Sequence, residues 1–104
     1  MNNSYFNEMK TKYWYETTAH ELETTFNIEK WASNLYTQIQ DDVQAMAAFV
    51  TTLNHQCWYW YEGGYNEISQ IYSDLYYKYN EIEWDWLDKH GTDEEKTWYF
   101  RTLD

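Results

Sequence analysis

The chain has 104 residues, the length of one domain, and its 18 acidic and 7 basic side chains give a net charge of −11. This balance argues against direct nucleic-acid binding, which needs a basic surface. A single cysteine excludes an internal disulfide, and no apolar run approaches the roughly 20 residues of a membrane span. We therefore expect one soluble, cytoplasmic domain that does not bind membranes.

Aromatic side chains are unusually abundant, since 7 Trp, 12 Tyr and 4 Phe make up 22% of the chain. Tyr and Trp are enriched at protein interfaces, and one core of this size has too little room for all of them. The chain has no proline and only three glycines. Few turns should therefore interrupt it, and its elements should be long.

The N-terminal part predicts one helix, over residues 4–16. Helical spacing relates three of its apolar side chains, Phe6, Met9 and Tyr13. The apolar stripe then loses phase near Thr17, and Thr18-Ala19-His20-Glu21 has the pattern of a capping box. Residues 16–25 are therefore either a continuation of the first helix or a second short helix.

Two further helices are predicted over residues 28–40 and 42–61. The apolar stripe of the first is Ile28, Trp31, Ala32, Leu35 and Ile39. The stripe of the second is Val43, Met46, Ala47, Val50, Leu53, Cys57 and Trp60. Asn27 is placed to cap the first helix, and Asp41 or Asp42 the second.

The aromatic run Trp58-Tyr59-Trp60-Tyr61 leaves a second interpretation open for residues 58–65. Aromatic residues favour strands, and Gly63-Gly64 suits the tight turn of a hairpin. Both flanks continue helical stripes, so a helix that ends at the two glycines is the favoured interpretation.

The longest helix is predicted over residues 65–90. Its apolar stripe is Ile68, Ile71, Tyr72, Leu75, Tyr79, Ile82 and Trp86. Gly91 follows as the expected residue after a helix C-terminus, and Thr92-Asp93-Glu94-Glu95 forms a capping box for a last helix over 93–102. Trp98 and either Phe100 or Leu103 should face inward there. The fold class predicted is all-α, a compact bundle of about four to five helices.

No catalytic or metal-binding motif is complete in this sequence. His20-Glu21 begins like the helix of a zinc protease, but Thr24 stands where the second histidine is needed. His55 and Cys57 fall on different faces of their helix, which is unsuitable for a nucleophile and its base. The acids near the end of the longest helix lack the calcium-loop and di-iron patterns. We expect a non-enzymatic protein without metal or cofactor.

Acidic residues recur along the longest predicted helix at steps that place them on one side. They are Glu67, Asp74, Glu81, Asp85 and Asp88. The acidic start of the last helix, Asp93, Glu94 and Glu95, is expected to continue this line. An amphipathic helix must place its acids opposite its apolar stripe, so the row is either a solvated face or a docking surface.

Four tryptophans are candidates to bind a partner, since several of them cannot share the inward-facing stripes. They are Trp58, Trp60, Trp84 and Trp98. Rigid aromatic side chains are typical anchors of protein interfaces.

With this acidic helix, the Thr92-Asp93-Glu94-Glu95 turn and its Trp and Tyr clusters, the chain resembles the small anti-defence proteins of phages and mobile elements. The likeness, in size, acidity and aromatic content, is greatest to DNA-mimic inhibitors of restriction or CRISPR nucleases. It implies a stoichiometric inhibitor, acting in the host cytoplasm, that blocks the basic nucleic-acid channel of a host enzyme. The alternatives are an adaptor that associates with itself, as a homodimer, or with a partner through exposed Trp and Tyr, and a module that stacks sugars.

Overall fold

The computed structural model describes residues 2–20 and 23–103, which form five α-helices and no strand. In chain order these are α1 (Ser4–Lys12), α2 (Thr24–Ile39), α3 (Val43–Glu62), α4 (Asn66–His90) and α5 (Asp93–Leu103). The all-α prediction is confirmed. The hairpin alternative at 58–65 is wrong, because the aromatic run continues α3 to its end. Within the described ranges, no helix is both long and apolar enough to cross a membrane.

Helix α3 is the centre of the bundle and contacts each of the other four helices. Its alanines allow this, since Ala45, Ala47 and Ala48 are at most 1% exposed and let neighbouring backbones approach closely. A turn of three residues, 63–65, reverses the chain so that α4 packs back along α3. The resulting molecule is elongated, with principal extents of 43 × 21 × 19 Å.

An aromatic cluster joins three of the helices around Phe49, which is fully buried on α3. Its ring centroid lies 6.0 Å from those of Trp31 and Tyr36 on α2, and 5.1 Å from that of Tyr79 on α4. The contact with Tyr79 is edge-to-face, which is the favourable electrostatic arrangement of two rings. Contacts between aromatic rings therefore connect α2, α3 and α4 in the core.

The segment between α1 and α2 differs from both interpretations of the sequence. Helix α1 ends at Lys12 instead of residue 16, and residues 14–18 have no regular structure. Neither a continued first helix nor a separate short helix is present in the described part of 16–25, and Glu21 of the predicted capping box lies outside the described residues.

Buried Gln56 of α3 contacts this irregular segment. When its side-chain amide is oriented so that its oxygen faces donors and its nitrogen faces acceptors, it accepts a hydrogen bond from the backbone N–H of Tyr15 (2.8 Å) and donates to the Tyr15 carbonyl oxygen (3.2 Å) and the Tyr72 hydroxyl (3.0 Å). The amide thus pairs with the backbone as a neighbouring strand would. The Tyr15 ring also stacks on Trp31, with centroids 4.9 Å apart.

One of the two predicted helix N-caps is confirmed, and the other is wrong. The Asp42 side chain accepts a hydrogen bond from the backbone N–H of Ala45 (3.2 Å) and caps α3, as expected. Asn27 is not a cap, because α2 begins a turn earlier, at Thr24. The preceding residue, Glu23, has a positive φ of 58° and no capping side-chain bond, so sequence patterns gave no signal for this start.

The junction of α4 and α5 forms as predicted, although its glycine has a different reason. Gly91 has an ordinary φ of −78°, but a Cβ there would lie 2.8 Å from the carbonyl oxygen of Leu87. Close approach, and not a left-handed turn, therefore requires glycine. The capping box is confirmed, since Thr92 Oγ1 accepts from the Glu95 N–H (3.1 Å) and a Glu95 carboxylate oxygen accepts from the Thr92 N–H (2.9 Å).

The predicted apolar stripe of α4 is right up to Tyr79 and then shifts by one residue. Glu83 and Leu87 are fully buried, whereas Ile82 is 38% exposed. In α5 the inward side chains are Trp98, as predicted, and Tyr99, while Phe100 is 57% exposed. The shift brings an ionisable side chain into the core between α4 and α5.

Candidate protein-docking surface

Helix α4 presents five predicted carboxylates to solvent, on the side of the helix away from α3. Each of them is exposed: Glu67, Asp74, Glu81, Asp85 and Asp88. The buried side chains of α4, such as Tyr72 and Tyr79, lie on the other side of the helix. At about 1.5 Å of rise per residue the row is about 31 Å long. We call these five side chains the acidic row.

Two lysines interrupt the acidic row. Lys78 and Lys89 fall on the same side of α4, and the Lys89 ammonium pairs with the Asp85 carboxylate at 3.0 Å. Both members of this pair are about two-thirds exposed, so the bond contributes little to stability. Five carboxylates and two ammonium groups leave this side of α4 with a charge of −3.

The three predicted acids of α5 lie elsewhere. Asp93 and Glu94 line a groove between α5 and α1 that also contains Lys10 and Arg101. Glu95 is engaged in the capping box. No residue of α4 lines the groove that contains Asp93 and Glu94, so these two acids border α1 and not the acidic row.

The four predicted tryptophans occupy different environments. Trp58 is 56% exposed, whereas Trp60 and Trp84 are half-buried. Trp98 is only 9% exposed, its indole N–H donates to the side-chain oxygen of Asn3 (2.7 Å), and its ring meets the edge of Phe6. Trp98 therefore holds α1 to α5 and is not a surface anchor.

Exposed tyrosines beside Trp58 were missed by the sequence analysis, which selected only tryptophans. Trp58, Tyr59, Tyr61 and Tyr65, which we call the aromatic end, surround the α3–α4 turn with 43–58% of each side chain exposed. The run of four aromatic residues at 58–61 was the available signal. Successive helical residues point about 100° apart, so such a run cannot all face inward.

Glu83 is an ionisable side chain that lies fully buried in the core. Its Oε1 accepts a hydrogen bond from the Tyr99 hydroxyl (2.8 Å), which also accepts one from the Asn80 amide (3.3 Å). Its Oε2 has no hydrogen-bond partner among the described residues. Burial raises the pKa of Glu83 well above its usual range, with the Tyr99 hydrogen bond opposing the effect. The raised pKa favours the protonated, neutral form of Glu83, and the side chain is fully buried in the core.

The acids and histidines of the described residues do not form a metal-binding cluster. Among residues 2–20 and 23–103, no three His, Cys, Asp or Glu side chains converge closely enough to hold a metal ion. The acids of α4 follow one another along the helix and do not surround a common point.

The fold and the surface together define an all-α acidic protein with an acidic row on one side and an aromatic end. Comparison of the chain with protein-family models, with curated proteins and with solved structures finds no match in any of the three.

Proposed function

We propose that this protein is a non-enzymatic docking protein that mimics nucleic acid and occupies a basic groove of a nucleic-acid-binding host defence enzyme. The observation that supports the proposal is the acidic row, five exposed carboxylates on one side of a single helix of 25 residues. A helix of that length fixes the spacing of its charges, so a complementary row of cations can meet them without ordering a flexible chain.

The acidic row is more dilute than the charge of a duplex. Five carboxylates over about 31 Å give about one charge per 6 Å, whereas duplex DNA carries about one per 1.7 Å of axis. Charge alone therefore does not reproduce DNA. In the proposal the acidic row steers and orients the partner, and the aromatic end supplies apolar contact.

The test reverses charges at the acidic row and compares an equal reversal elsewhere. Changing Glu81, Asp85 and Asp88 to lysine should weaken retention of nucleic-acid-binding enzymes from a bacterial lysate at least about tenfold. Changing Glu8, Glu16 and Glu23 to lysine alters the net charge equally at exposed positions outside α4. Immobilised variants are exposed to lysate with increasing salt or duplex DNA, and retained proteins are quantified by mass spectrometry.

The proposal requires retention that falls with salt, falls with competing DNA and depends on which three acids are reversed. Equal retention by the two charge-reversed variants would contradict a role for the acidic row in binding the partner. If competing duplex DNA does not displace the retained proteins, the hypothesis that this protein mimics nucleic acid is wrong.

The aromatic end supports a second candidate function, self-association as a homodimer or scaffold. More than half of the side chain is exposed in Trp58, Tyr59 and Tyr61, an arrangement that interfaces favour. Two copies carry −11 each, so salt should strengthen self-association, whereas it should weaken docking on a basic partner. Sedimentation at high protein concentration distinguishes the two, and a monomer at both low and high salt would reject this candidate.

A further inference from the structure

A groove of about 500 Å³ runs between α3 and α4 beside the aromatic end. We call it the α3–α4 groove. Its lining consists of Cys57, Trp58, Tyr61, Asn66, Ser69, Gln70 and Ser73. None of these side chains is charged, although acids outnumber bases 18 to 7 in the chain.

The two walls of the α3–α4 groove have different chemistry. One wall is the pair Trp58 and Tyr61, whose rings meet edge-to-face with centroids 5.8 Å apart. The other wall is a single face of α4, formed by Asn66, Ser69, Gln70 and Ser73 at helical spacing. The Ser69 hydroxyl donates to the Cys57 carbonyl oxygen (2.8 Å) and lies 3.4 Å from the Cys57 sulfur, so it is engaged within the protein, and the other polar side chains of this wall are left to bind a ligand.

Amide and hydroxyl oxygens facing aromatic rings suit a planar cation. A guanidinium group stacks on an aromatic face and has five N–H donors in a fixed fork. The amide of Gln70 already donates to Asp74 (2.8 Å), an arrangement that leaves its carbonyl oxygen as an acceptor and places a carboxylate near the groove. The strongly negative molecule attracts cations in general, and the described lining contains no lysine or arginine that would occupy the site.

We propose that the α3–α4 groove receives an arginine side chain of the partner, with its guanidinium stacked on one of the two perpendicular rings, Trp58 or Tyr61, and hydrogen-bonded to the polar face of α4. The inference rests on the proposed docking function and specifies its anchor. It assigns selectivity for arginine over lysine to the groove, because lysine lacks the planar fork. The acidic row, which recognises charge at a distance, has no such selectivity.

The experiment compares oligo-arginine and oligo-lysine peptides of equal length by titration calorimetry at fixed ionic strength. The wild-type chain should bind the arginine peptide about fivefold more tightly, the strength of a partly exposed cation–π contact. The double substitution Trp58→Ala and Tyr61→Ala should bring that ratio close to one. Both side chains are more than half exposed, so their truncation should leave the fold intact.

A matched control removes two exposed aromatic rings that lie outside the groove, with Tyr77→Ala and Phe100→Ala. This control should keep the arginine preference of the wild type. An equal preference in the groove variant and the control would overturn the assignment. So would a dimer that the groove variant alone dissociates, because a second copy would then be the occupant.

The outcome for the anchor can be separated from the outcome for the docking function. An arginine preference that disappears in the groove variant, together with enzyme retention that ignores the acidic row, would sustain the groove and refute the nucleic-acid mimic. Enzyme retention that depends on the acidic row, without any arginine preference, would support the nucleic-acid mimic and refute the arginine site in the groove.

Discussion

Replacing Glu83 by glutamine is expected to raise the free energy of unfolding at neutral pH and to flatten its dependence on pH. Burial raises the pKa of Glu83 in the folded chain well above the value of 4.5 for an unperturbed glutamate. The folded chain therefore keeps a proton that the unfolded chain releases as the pH rises above this value. By linkage, the contribution of Glu83 to stability is fully present below about pH 4.5 and is lost as the pH rises toward the raised pKa.

The size of the effect follows from the proton balance. Between the unfolded and folded pKa values of one group, stability changes by about 1.4 kcal/mol for each pH unit. Glutamine has the shape of the protonated acid and its oxygen can still accept from the Tyr99 hydroxyl, but it does not titrate. Wild type and Glu83→Gln should therefore be equally stable near pH 4 and diverge as the pH rises, with glutamine the more stable.

The measurement is thermal unfolding, followed by circular dichroism, from pH 4 to pH 8. Glu81→Gln is the matched control, because it removes the same charge from an exposed position of the same helix. It reports the general relief of repulsion in a chain of net charge −11. Parallel pH profiles for Glu83→Gln and Glu81→Gln would contradict a titrating carboxyl in the core.

Replacing Phe49 by alanine is expected to lower the free energy of unfolding by about 3–5 kcal/mol, the cost of truncating a fully buried aromatic ring. The Phe49 ring contacts three other rings, on α2 and α4, so its loss opens a cavity where three helices meet. A domain of this size has a total stability of only about 5–15 kcal/mol. The variant should be largely unfolded at elevated temperature.

Phe26→Ala provides the comparison for this prediction, since Phe26 is 57% exposed at the start of α2. It should change the unfolding free energy by less than about 0.5 kcal/mol. Urea unfolding at 25 °C measures both variants. A similar small change for Phe49→Ala would mean that the aromatic cluster is not the core.

The helices could be predicted from the sequence because their signals are local. The capping box of Thr92 and Glu95, the cap at Asp42 and the glycines after α3 all act within a few residues. The segment after α1 could not be predicted, because its conformation depends on Gln56, more than forty residues away in the chain. Local patterns do not contain such a contact.

The inward face of α4 was mispredicted near its end for a similar reason. Ile82 fits an apolar stripe and Glu83 does not, yet the structure buries Glu83 against Tyr99 of α5. Hydrophobicity alone predicts that an acidic side chain lies on the surface. Glu83 is buried because it has a hydrogen-bond partner, Tyr99, on another helix. The acidic row was easier to predict, because five exposed acids at helical steps need no distant contact.

The turn at residues 63–65 has a consequence for how the molecule assembles. Because only three residues separate α3 from α4, this pair can form through contacts that are close in sequence, which makes folding fast. Helices α1, α2 and α5 are then expected to dock onto this hairpin. The acidic row and the α3–α4 groove both belong to the hairpin, so the proposed recognition surface is expected to form before the chain termini reach their positions.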